Sequence, residues 1–237
     1  MIDAKSFLAI ITARGGSRRL PRKNILNLGG RAMISWTIEA ALKSKYIDHV
    51  IVSTDDQEIS DISKECNADV PFIRPIELAT DSATSVDVVL HSIEELENNN
   101  KYYDYVILLQ PTSPFRNAKN IDDSIDLLIS KRSDAVISVC ESSHSPLWCN
   151  TIPDTGDLSK FMDISILNKR SQELKKYFCL NGAIYLCNIK KLRQEKTFFL
   201  SKNCMAYKMN KKQSIDIDDE YDFTYAKALL SMDSNFE

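Results

Sequence analysis

The sequence FLAIITARGGSRRLPRKN, residues 7–24, decides the expected fold. Its first five residues are apolar, which predicts a short buried strand ending at Thr12. Two adjacent glycines, Gly15 and Gly16, allow a tight turn and offer backbone N–H groups to an anion. The cations of the loop suit a triphosphate, which carries about four negative charges; a basic loop that is only solvated is the alternative. These cations are Arg14, Arg18, Arg19, Arg22 and Lys23.

Two common phosphate-binding motifs are absent from this loop. The G-x-G-x-x-G fingerprint of dinucleotide-binding proteins does not fit, because Gly15 and Gly16 are adjacent and the next glycine is Gly29. The G-x-x-x-x-G-K-[ST] motif is absent too. The loop would therefore bind its anion by another arrangement, and a dehydrogenase is the least favoured function.

Length, charge and composition are typical of a globular protein. The 237 residues can form one domain with its own core, and we expect a single unit over 1–237. The net charge of −3 argues against broad nucleic-acid binding. No apolar run approaches the ~18 residues of a membrane span, and Lys5 is followed by a strand-length run rather than a signal peptide. Six scattered cysteines without a Cys-x-x-Cys pair favour reduced thiols in a cytoplasmic protein over metal or disulfide roles.

Apolar runs and helical patterns alternate along the first 140 residues. We expect strands at 7–11, 49–53, 70–73, 105–109 and 134–140, and helices at 33–45, 57–66, 86–96 and 118–131. This order predicts an α/β fold with a doubly wound, mostly parallel sheet and helices on both faces. Strand 105–109 is the most apolar and is expected to be central. Ligands of such sheets bind beyond the carboxyl ends of the strands, where the loops starting at Arg14, Thr54, Arg74 and Gln110 would lie.

The alternation breaks between residues 141 and 180. This stretch contains Pro146, Pro153 and Gly156, both signs of charge and only short apolar runs. We expect it to leave the sheet and to contact a second subunit. The strand pattern returns at 183–187, a last helix is expected at 221–230, and residues from 233 on are expected to fray.

Two acidic pairs stand out in the sequence: one follows a predicted strand, and the other precedes the last predicted helix. Asp55 and Asp56 are placed to cap the helix 57–66. Near the C-terminus, Asp216 and Asp218 alternate with isoleucine, so on an extended segment both carboxylates would face one way. Such a pair suits Mg²⁺, which takes one or two carboxylates and completes its shell with water and phosphate oxygens. Capping of the last helix by Asp218 or Asp219 is the alternative, but beside the basic loop the metal site is favoured.

Residues 13–24, ARGGSRRLPRKN, resemble the signature loop of the CMP-sialic acid synthetases, or acylneuraminate cytidylyltransferases. Four further segments resemble motifs of this family, in the family's order: QPTSP at 110–114, NGAIY at 181–185, FF at 198–199 and DID at 216–218. The resemblance implies a nucleotide-diphospho-sugar transferase-like fold and a cytidylyltransferase. Such an enzyme joins the CMP of CTP to a nonulosonic acid, a nine-carbon 2-keto sugar acid, and releases pyrophosphate with Mg²⁺ (or Mn²⁺) bound. It also implies a homodimer formed through residues 141–180.

The resemblance assigns roles to individual positions. The CTP phosphates would contact Arg14, Gly15, Gly16, Ser17, Arg18 and Lys23. Cytosine and ribose would contact Asn24, Arg74, Ala83 and Ser85. The sugar pocket would be lined by Gln110, Asn181, Tyr185, Phe198 and Phe199, and the metal would be held by Asp216 and Asp218. The catalytic group would comprise Arg14, Arg18, Lys23, Asp216 and Asp218, with Asp218 also orienting or deprotonating the attacking hydroxyl. From the residues alone, the aromatic members could be core and Asn181 part of a turn.

Three positions depart from the family pattern. Arg18 stands where the family usually has Lys, and Arg19 where it often has Gly. Ser171 stands where an arginine that helps to hold the sugar carboxylate is often found. Because of this last difference, legionaminic and pseudaminic acids are candidate substrates in addition to N-acetylneuraminic acid. The QPTSP turn makes pseudaminic acid the least favoured of the three. An enzyme that activates deoxyoctulosonate and a non-catalytic nucleotide-binding module are the remaining alternatives.

Overall fold

The computed structural model describes residues 5–232; the predicted tail from residue 233 lies outside this range. The strands are β1 (Phe7–Thr12), β2 (Asn27–Leu28), β3 (Arg31–Ala32), β4 (His49–Ser53), β5 (Tyr105–Leu109), β6 (Ala135–Glu141), β7 (Phe178–Asn188) and β8 (Cys204–Met209). The α-helices are α1 (Met33–Leu42), α2 (Gln57–Glu65), α3 (Ser85–Asn98), α4 (Ala118–Lys131), α5 (Ile189–Glu195) and α6 (Glu220–Met232). Over the described range, none of these helices is long and apolar enough to cross a membrane.

Six of the strands form one sheet in the order β4-β1-β5-β7-β6-β8, while β2 and β3 pair separately. β1 is parallel to both β4 and β5, and β6 is parallel to β8. β7 is antiparallel to both of its neighbours, β5 and β6. The prediction of a mostly parallel α/β sheet with β5 in its interior is therefore confirmed.

The side chains of β1 alternate between two cores on opposite faces of the sheet. Phe7, Ala9 and Ile11 belong to a core that also contains residues of α1, α2 and α4. Leu8 and Ile10 belong to a second core with residues of α3 and α5. A strand covered on both faces must be apolar at consecutive positions. The continuous apolar run at the start of the chain thus reflects a sheet with helices on both sides.

Several predicted elements have their expected bounds, and others need correction. β4, β5 and α4 begin and end at the predicted residues. The predicted strand at 70–73 is wrong: this region contributes only an isolated bridge between Ile51 and Asp69. Pro71 has no N–H to donate to a ladder, which explains why pairing does not continue. The predicted helix 33–45 ends early, at Leu42, and the following Ser44 hydroxyl donates to Asp122 at 2.6 Å.

The chain leaves the sheet between β6 and β7, as the sequence predicts. Residues 142–177, here called the excursion, contain three short 3-10 turns and no α-helix or strand. Ile166 is the one buried side chain in this segment. The excursion ends at residue 177 rather than 180, because β7 begins at Phe178. The pattern missed α5 and β8, the latter an edge strand with little burial.

Candidate active site

A cleft of about 650 Å³ lies beyond the carboxyl ends of β1 and β5. Its walls come from the basic loop, the turn after β5 and the acidic segment before α6, which are far apart in sequence. The cleft brings together these predicted site residues: Arg14, Ser17, Arg18, Lys23, Asn24, Gln110, Asp216 and Asp218. The position agrees with the rule that ligands of open α/β sheets bind beyond the carboxyl ends of the strands.

The glycine pair of the loop is packed against the end of β4. The N–H of Gly15 donates to Asp55 Oδ1 at 3.0 Å, so this amide is already paired rather than bare. A Cβ at Gly15 would lie 2.6 Å from Asp56 Oδ2, whereas one at Gly16 would meet nothing. Asp56 also caps α2, as predicted, by accepting from the N–H of Ile59 at 3.0 Å. Gly15 is therefore required for close packing, and Asp55 fixes the loop.

Four of the five loop cations line the cleft, and each pairs with a carboxylate there. Arg14 and Arg18 contact Asp81 at 2.7 and 2.6 Å. Arg19 and Lys23 contact Asp218 at 2.8 and 3.2 Å, and Lys23 also donates to the Ile217 carbonyl at 2.8 Å. The four cations thus converge on one space, and each of them already contacts a negatively charged group there.

The fifth cation, Arg22, points away from the cleft. Its guanidinium pairs with Asp56 and Glu58, which hold the pKa of Arg22 above its usual value, chiefly through the hydrogen bond to Asp56. The hydrogen bond from Arg22 in turn holds the pKa of Asp56 below its usual range. Arg22 therefore joins the loop to α2 rather than to a ligand.

The acidic segment is anchored by its isoleucines. Ile217 is fully buried in a small core with Trp36 and Phe115, and its N–H donates to the Thr112 carbonyl at 2.8 Å. With Ile217 inside, Asp216 and Asp218 both line the cleft, as the alternation predicts.

The two carboxylates have different surroundings. Asp218 has cationic partners, whereas the cleft walls around Asp216 raise its pKa by burial. The charge of Asp218 raises it further, and a hydrogen bond from Thr112 opposes the shift. Capping of α6 falls to Asp219, which accepts from the N–H groups of Tyr221 and Asp222 at 2.9 and 3.0 Å. The capping alternative thus applies to the neighbouring residue and not to the pair in the cleft.

A smaller cavity of about 210 Å³ adjoins the cleft and shares Thr12, Arg14 and Asp81 with it. It is lined by the residues that the sequence assigns to base and ribose recognition apart from Asn24: Arg74, Ala83 and Ser85. The buried guanidinium of Arg74 donates to the Ser53 hydroxyl at 3.1 Å and to the Ser53 carbonyl. Burial lowers the pKa of Arg74 to about 10, which leaves it charged at neutral pH.

The predicted sugar residues fall into two groups. Gln110 lines the cleft, and Tyr185 forms an aromatic cluster with Phe198 and Phe199, at centroid distances of 5.6 and 6.4 Å. Burial and the nearby charge of Asp216 raise the pKa of Tyr185, so the cluster lies close to the acidic pair.

Asn181 is buried in a hydrogen-bond network instead of lining the cleft. Its amide donates to Ser214 Oγ at 3.0 Å, and its side-chain oxygen accepts from Ser138 Oγ at 2.6 Å. The next residue, Gly182, has φ +71°, and a Cβ there would lie 2.8 Å from Gln110 Oε1 and 3.6 Å from Asp216 Oδ2. Asn181 therefore fixes the backbone of β7 where that backbone passes closest to the site.

Sequence reasoning missed two site residues. Asp81 lies outside every motif of the sequence analysis, yet it contacts both Arg14 and Arg18. Arg116 lies two residues after the QPTSP segment, and its guanidinium is buried and donates to the carbonyls of Ala183 and Gln110 at 3.0 and 3.2 Å. Apart from Gln110, the partners of both residues lie more than sixty positions away in the sequence, so no local pattern identifies these contacts.

The fold and the cleft together define a nucleotidyltransferase. Four convergent cations, a carboxylate pair and a smaller adjoining cavity lie at one end of a mostly parallel sheet. The sequence model of the cytidylyltransferase family matches residues 8–204. The chain belongs to this family.

Relatives of known function cover nearly the whole chain. The chain is 34% identical over 228 residues to the CMP-N,N'-diacetyllegionaminic acid synthase of Legionella pneumophila, covering 95% of this chain and 96% of the relative. It is 32% identical over 225 residues to the pseudaminic acid cytidylyltransferase of Campylobacter jejuni, with shares of 95% and 96%. It is also 37% identical over 221 residues to the N-acylneuraminate cytidylyltransferase of Escherichia coli, covering 92% of this chain and 51% of the relative. The chain thus spans about half the length of this last protein.

Solved structures agree on the fold. A CMP:2-keto-3-deoxy-manno-octonic acid synthetase has a TM-score of 0.68 at 18% identity, covering 96% of this chain and 99% of the other. A 4-diphosphocytidyl-2C-methyl-D-erythritol synthase from Anaerococcus prevotii has a TM-score of 0.67 at 19% identity, with shares of 97% and 98%. At this level of identity, the similarity defines the fold alone.

Proposed function

We propose that the protein transfers CMP from CTP to the anomeric hydroxyl of a nonulosonic acid and releases pyrophosphate. One observation carries the proposal: four cations and three carboxylates, the Asp216–Asp218 pair among them, converge on a single cleft, which Arg14 joins to the smaller cavity of Arg74. The relatives named for legionaminic, sialic and pseudaminic acids supply the substrate class. We also propose that the protein is cytoplasmic, because six scattered cysteines without a Cys-x-x-Cys pair favour reduced thiols.

The cations of the cleft would hold the triphosphate. In the structure they contact Asp81 and Asp218, whose carboxylates lie where anionic oxygens are favoured. A triphosphate carries more charge than these carboxylates and would compete for Arg14, Arg18 and Lys23. Donors that are already aimed at developing charge lower an activation barrier because they need not reorganise during the reaction.

Asp216 and Asp218 would hold Mg²⁺, with Mn²⁺ as a possible substitute. The raised pKa of Asp216 supports a metal site here. A cation between the two carboxylates would offset the cost of burying the charge of Asp216 and its repulsion by Asp218. No group of three or more His, Cys, Asp or Glu side chains in residues 5–232 is arranged to hold a metal ion. Water and phosphate oxygens would therefore complete the shell. When bound, the cation would neutralise charge on the phosphate under attack.

The sugar acid would lie between the aromatic cluster and the acidic pair. Asp216 is close to Gly182 and its charge reaches Tyr185, so it is the carboxylate on the sugar side. Asp218 is held by Lys23 on the phosphate side. We therefore assign the orientation of the attacking hydroxyl to Asp216, where the sequence favoured Asp218. Gln110 would bind the sugar. Ser171 stands where the family often has an arginine for the sugar carboxylate, so Arg170 or Lys169 would substitute for it.

The test is pyrophosphate release with CTP, Mg²⁺ and one sugar acid at a time: N-acetylneuraminate, legionaminate, pseudaminate and deoxyoctulosonate. Release with one of the first two sugars, and no release when ATP, GTP or UTP replaces CTP, is the expected result. No release with any of the four sugars, in a protein that still binds CTP, would contradict the proposal and favour a non-catalytic nucleotide-binding module.

We also propose a homodimer formed through residues 141–180. Large apolar side chains are exposed in the excursion, including Ile152, Ile164 and Leu167 with 67, 85 and 55% of their surface accessible. Such a patch is typical of a protein interface. An Ile164→Asp, Leu167→Asp variant should sediment as a monomer where the native chain sediments as a dimer. A Tyr102→Asp variant serves as the control, because Tyr102 is also an exposed large side chain but lies outside residues 141–180. A monomeric native chain would refute the proposal.

A further inference from the structure

Two cysteines face each other where the excursion leaves the sheet. Cys140 in β6 and Cys179 in β7 are directly opposite in the antiparallel register. Directly opposite residues of an antiparallel pair project to the same face. Both cysteines also line one cavity of about 590 Å³ beside Tyr225 and Leu229 of α6. The two thiols are therefore neighbours on one open surface, although they are 39 positions apart.

The backbone spacing permits a covalent bridge. The N–H of Ser142 donates to the Tyr177 carbonyl at 2.9 Å, which makes 142 and 177 a hydrogen-bonded pair. Pair types alternate along an antiparallel ladder, so Cys140 and Cys179 are also a hydrogen-bonded pair, with Cα atoms ~5.5 Å apart. This separation lies inside the ~4.4–6.8 Å range of disulfides. The Cβ atoms of such a pair are wider apart than a relaxed disulfide prefers, so the bridge would be readily reduced.

The other cysteines lack this arrangement. Cys187 is fully buried, and burial raises the pKa of its thiol to about 12, which keeps it unreactive. Burial raises the pKa of Cys204 as well. Cys66 donates to Ser35 Oγ at 3.2 Å, and Cys149 is exposed in the excursion.

We propose that Cys140 and Cys179 form a reversible disulfide by exchange with a low-molecular-weight disulfide. The thiolate of Cys179, the more exposed of the two, attacks one sulfur of the small disulfide and releases its other half as a thiol. Cys140 then attacks Cys179 in the mixed disulfide and releases the second half. Two protein thiols are oxidised, one small disulfide is reduced to two thiols, and both protein protons leave with these thiols.

The bridge would tie together the two ends of the excursion. Its closed loop contains the whole of residues 142–177, including the apolar side chains assigned to the subunit contact. Phe178 and Leu180 lie on the opposite face of β7 from Cys179, because side chains alternate along a strand. The thiols therefore face α6, away from these exposed apolar side chains. The proposal concerns this site alone and does not depend on the reaction of the cleft.

The test is oxidation of the native protein with glutathione disulfide, followed by thiol counting and peptide mapping. The expected result is a loss of two thiols from the six of the sequence and one new cross-link between the tryptic peptides 133–160 and 177–190. The oxidised protein should run as a single chain on a non-reducing gel, and dithiothreitol should restore both thiols.

Matched serine variants identify the bonded pair. Peptide 133–160 contains both Cys140 and Cys149, so the cross-link should survive in Cys149→Ser and disappear in Cys140→Ser and Cys179→Ser. Circular dichroism checks that each variant is folded. A cross-link that persists in Cys140→Ser, glutathione adducts without an internal link, or a covalent dimer would each overturn the proposal.

Discussion

Replacing Arg116 by methionine should destabilise the protein and disturb the turn after β5. The Arg116 side chain has 1% of its surface exposed and joins three segments. Its guanidinium donates to Ala183 in β7 and Thr37 in α1, both at 3.0 Å, and to Gln110 in the turn at 3.2 Å. Methionine has a similar length but no donor, so two buried acceptors, in Ala183 and Thr37, and the half-buried Gln110 carbonyl would lose this partner.

Two opposing effects set the size of the change. Each buried acceptor left unsatisfied costs about 1–3 kcal/mol, or roughly 2–6 kcal/mol for the two buried ones, and the half-buried Gln110 carbonyl adds a smaller cost. Against this, the guanidinium has no carboxylate partner, burial lowers its pKa to about 9, and Nη1 has no hydrogen-bond partner among residues 5–232. Removing a buried charge of this kind regains several kcal/mol. The cost of the unsatisfied acceptors exceeds the free energy regained by removing the buried charge, and we expect a net loss of about 2–4 kcal/mol in the free energy of unfolding.

Urea unfolding followed by circular dichroism measures this loss, and Arg193→Met is the control. Arg193 is exposed and contacts Glu97 at 2.6 Å, and such surface pairs contribute about 0–1 kcal/mol. Turnover gives a second readout: KM for the sugar acid should rise more than KM for CTP, because the Gln110 carbonyl loses its donor. An Arg116→Met variant as stable as the native protein, with both KM values unchanged, would refute the reasoning.

Three further predictions concern the cleft. Asp216→Asn should lower kcat by about 10²–10³-fold, the usual effect of losing one preorganised group, while Asp219→Asn, which alters only the cap of α6, should keep most of the activity in the pyrophosphate assay. The same Asp216→Asn variant should unfold at a higher temperature than the native protein near neutral pH. Folding raises the pKa of the Asp216 carboxyl, so the ionised carboxylate lowers the stability of the native protein above the folded-state pKa. This loss of stability disappears as the pH falls through the folded-state pKa. A gain that does not shrink in acid would contradict this assignment. Gly182→Ala should lose about 1–2 kcal/mol of stability from its φ of +71° and weaken sugar binding by displacing Gln110, whereas unchanged unfolding and KM would show that the backbone adjusts freely.

Local patterns in the sequence determined the layers of the fold and most of the cleft. The continuous apolar run from Phe7 to Ile11 and the alternation of strands and helices after it made the strand and its two helical layers predictable, and in the structure the side chains of this run alternate between two cores. The acid–isoleucine alternation at 215–218 likewise determined that two carboxylates face one way, because an extended chain alternates its side chains wherever it lies. These properties depend on neighbouring residues alone.

Tertiary structure decided which distant groups meet. The antiparallel direction of β7, the contact of Asp81 with Arg14 and the burial of Arg116 all depend on how chain segments close on one another. The same holds for Cys140 and Cys179: no pattern in the sequence around either cysteine predicts that they are paired across β6 and β7. A residue's own neighbours fix its conformation and the face it occupies, whereas its partner across the fold is chosen by the packing of the whole chain. That packing turned a basic loop and an acidic segment into one cleft.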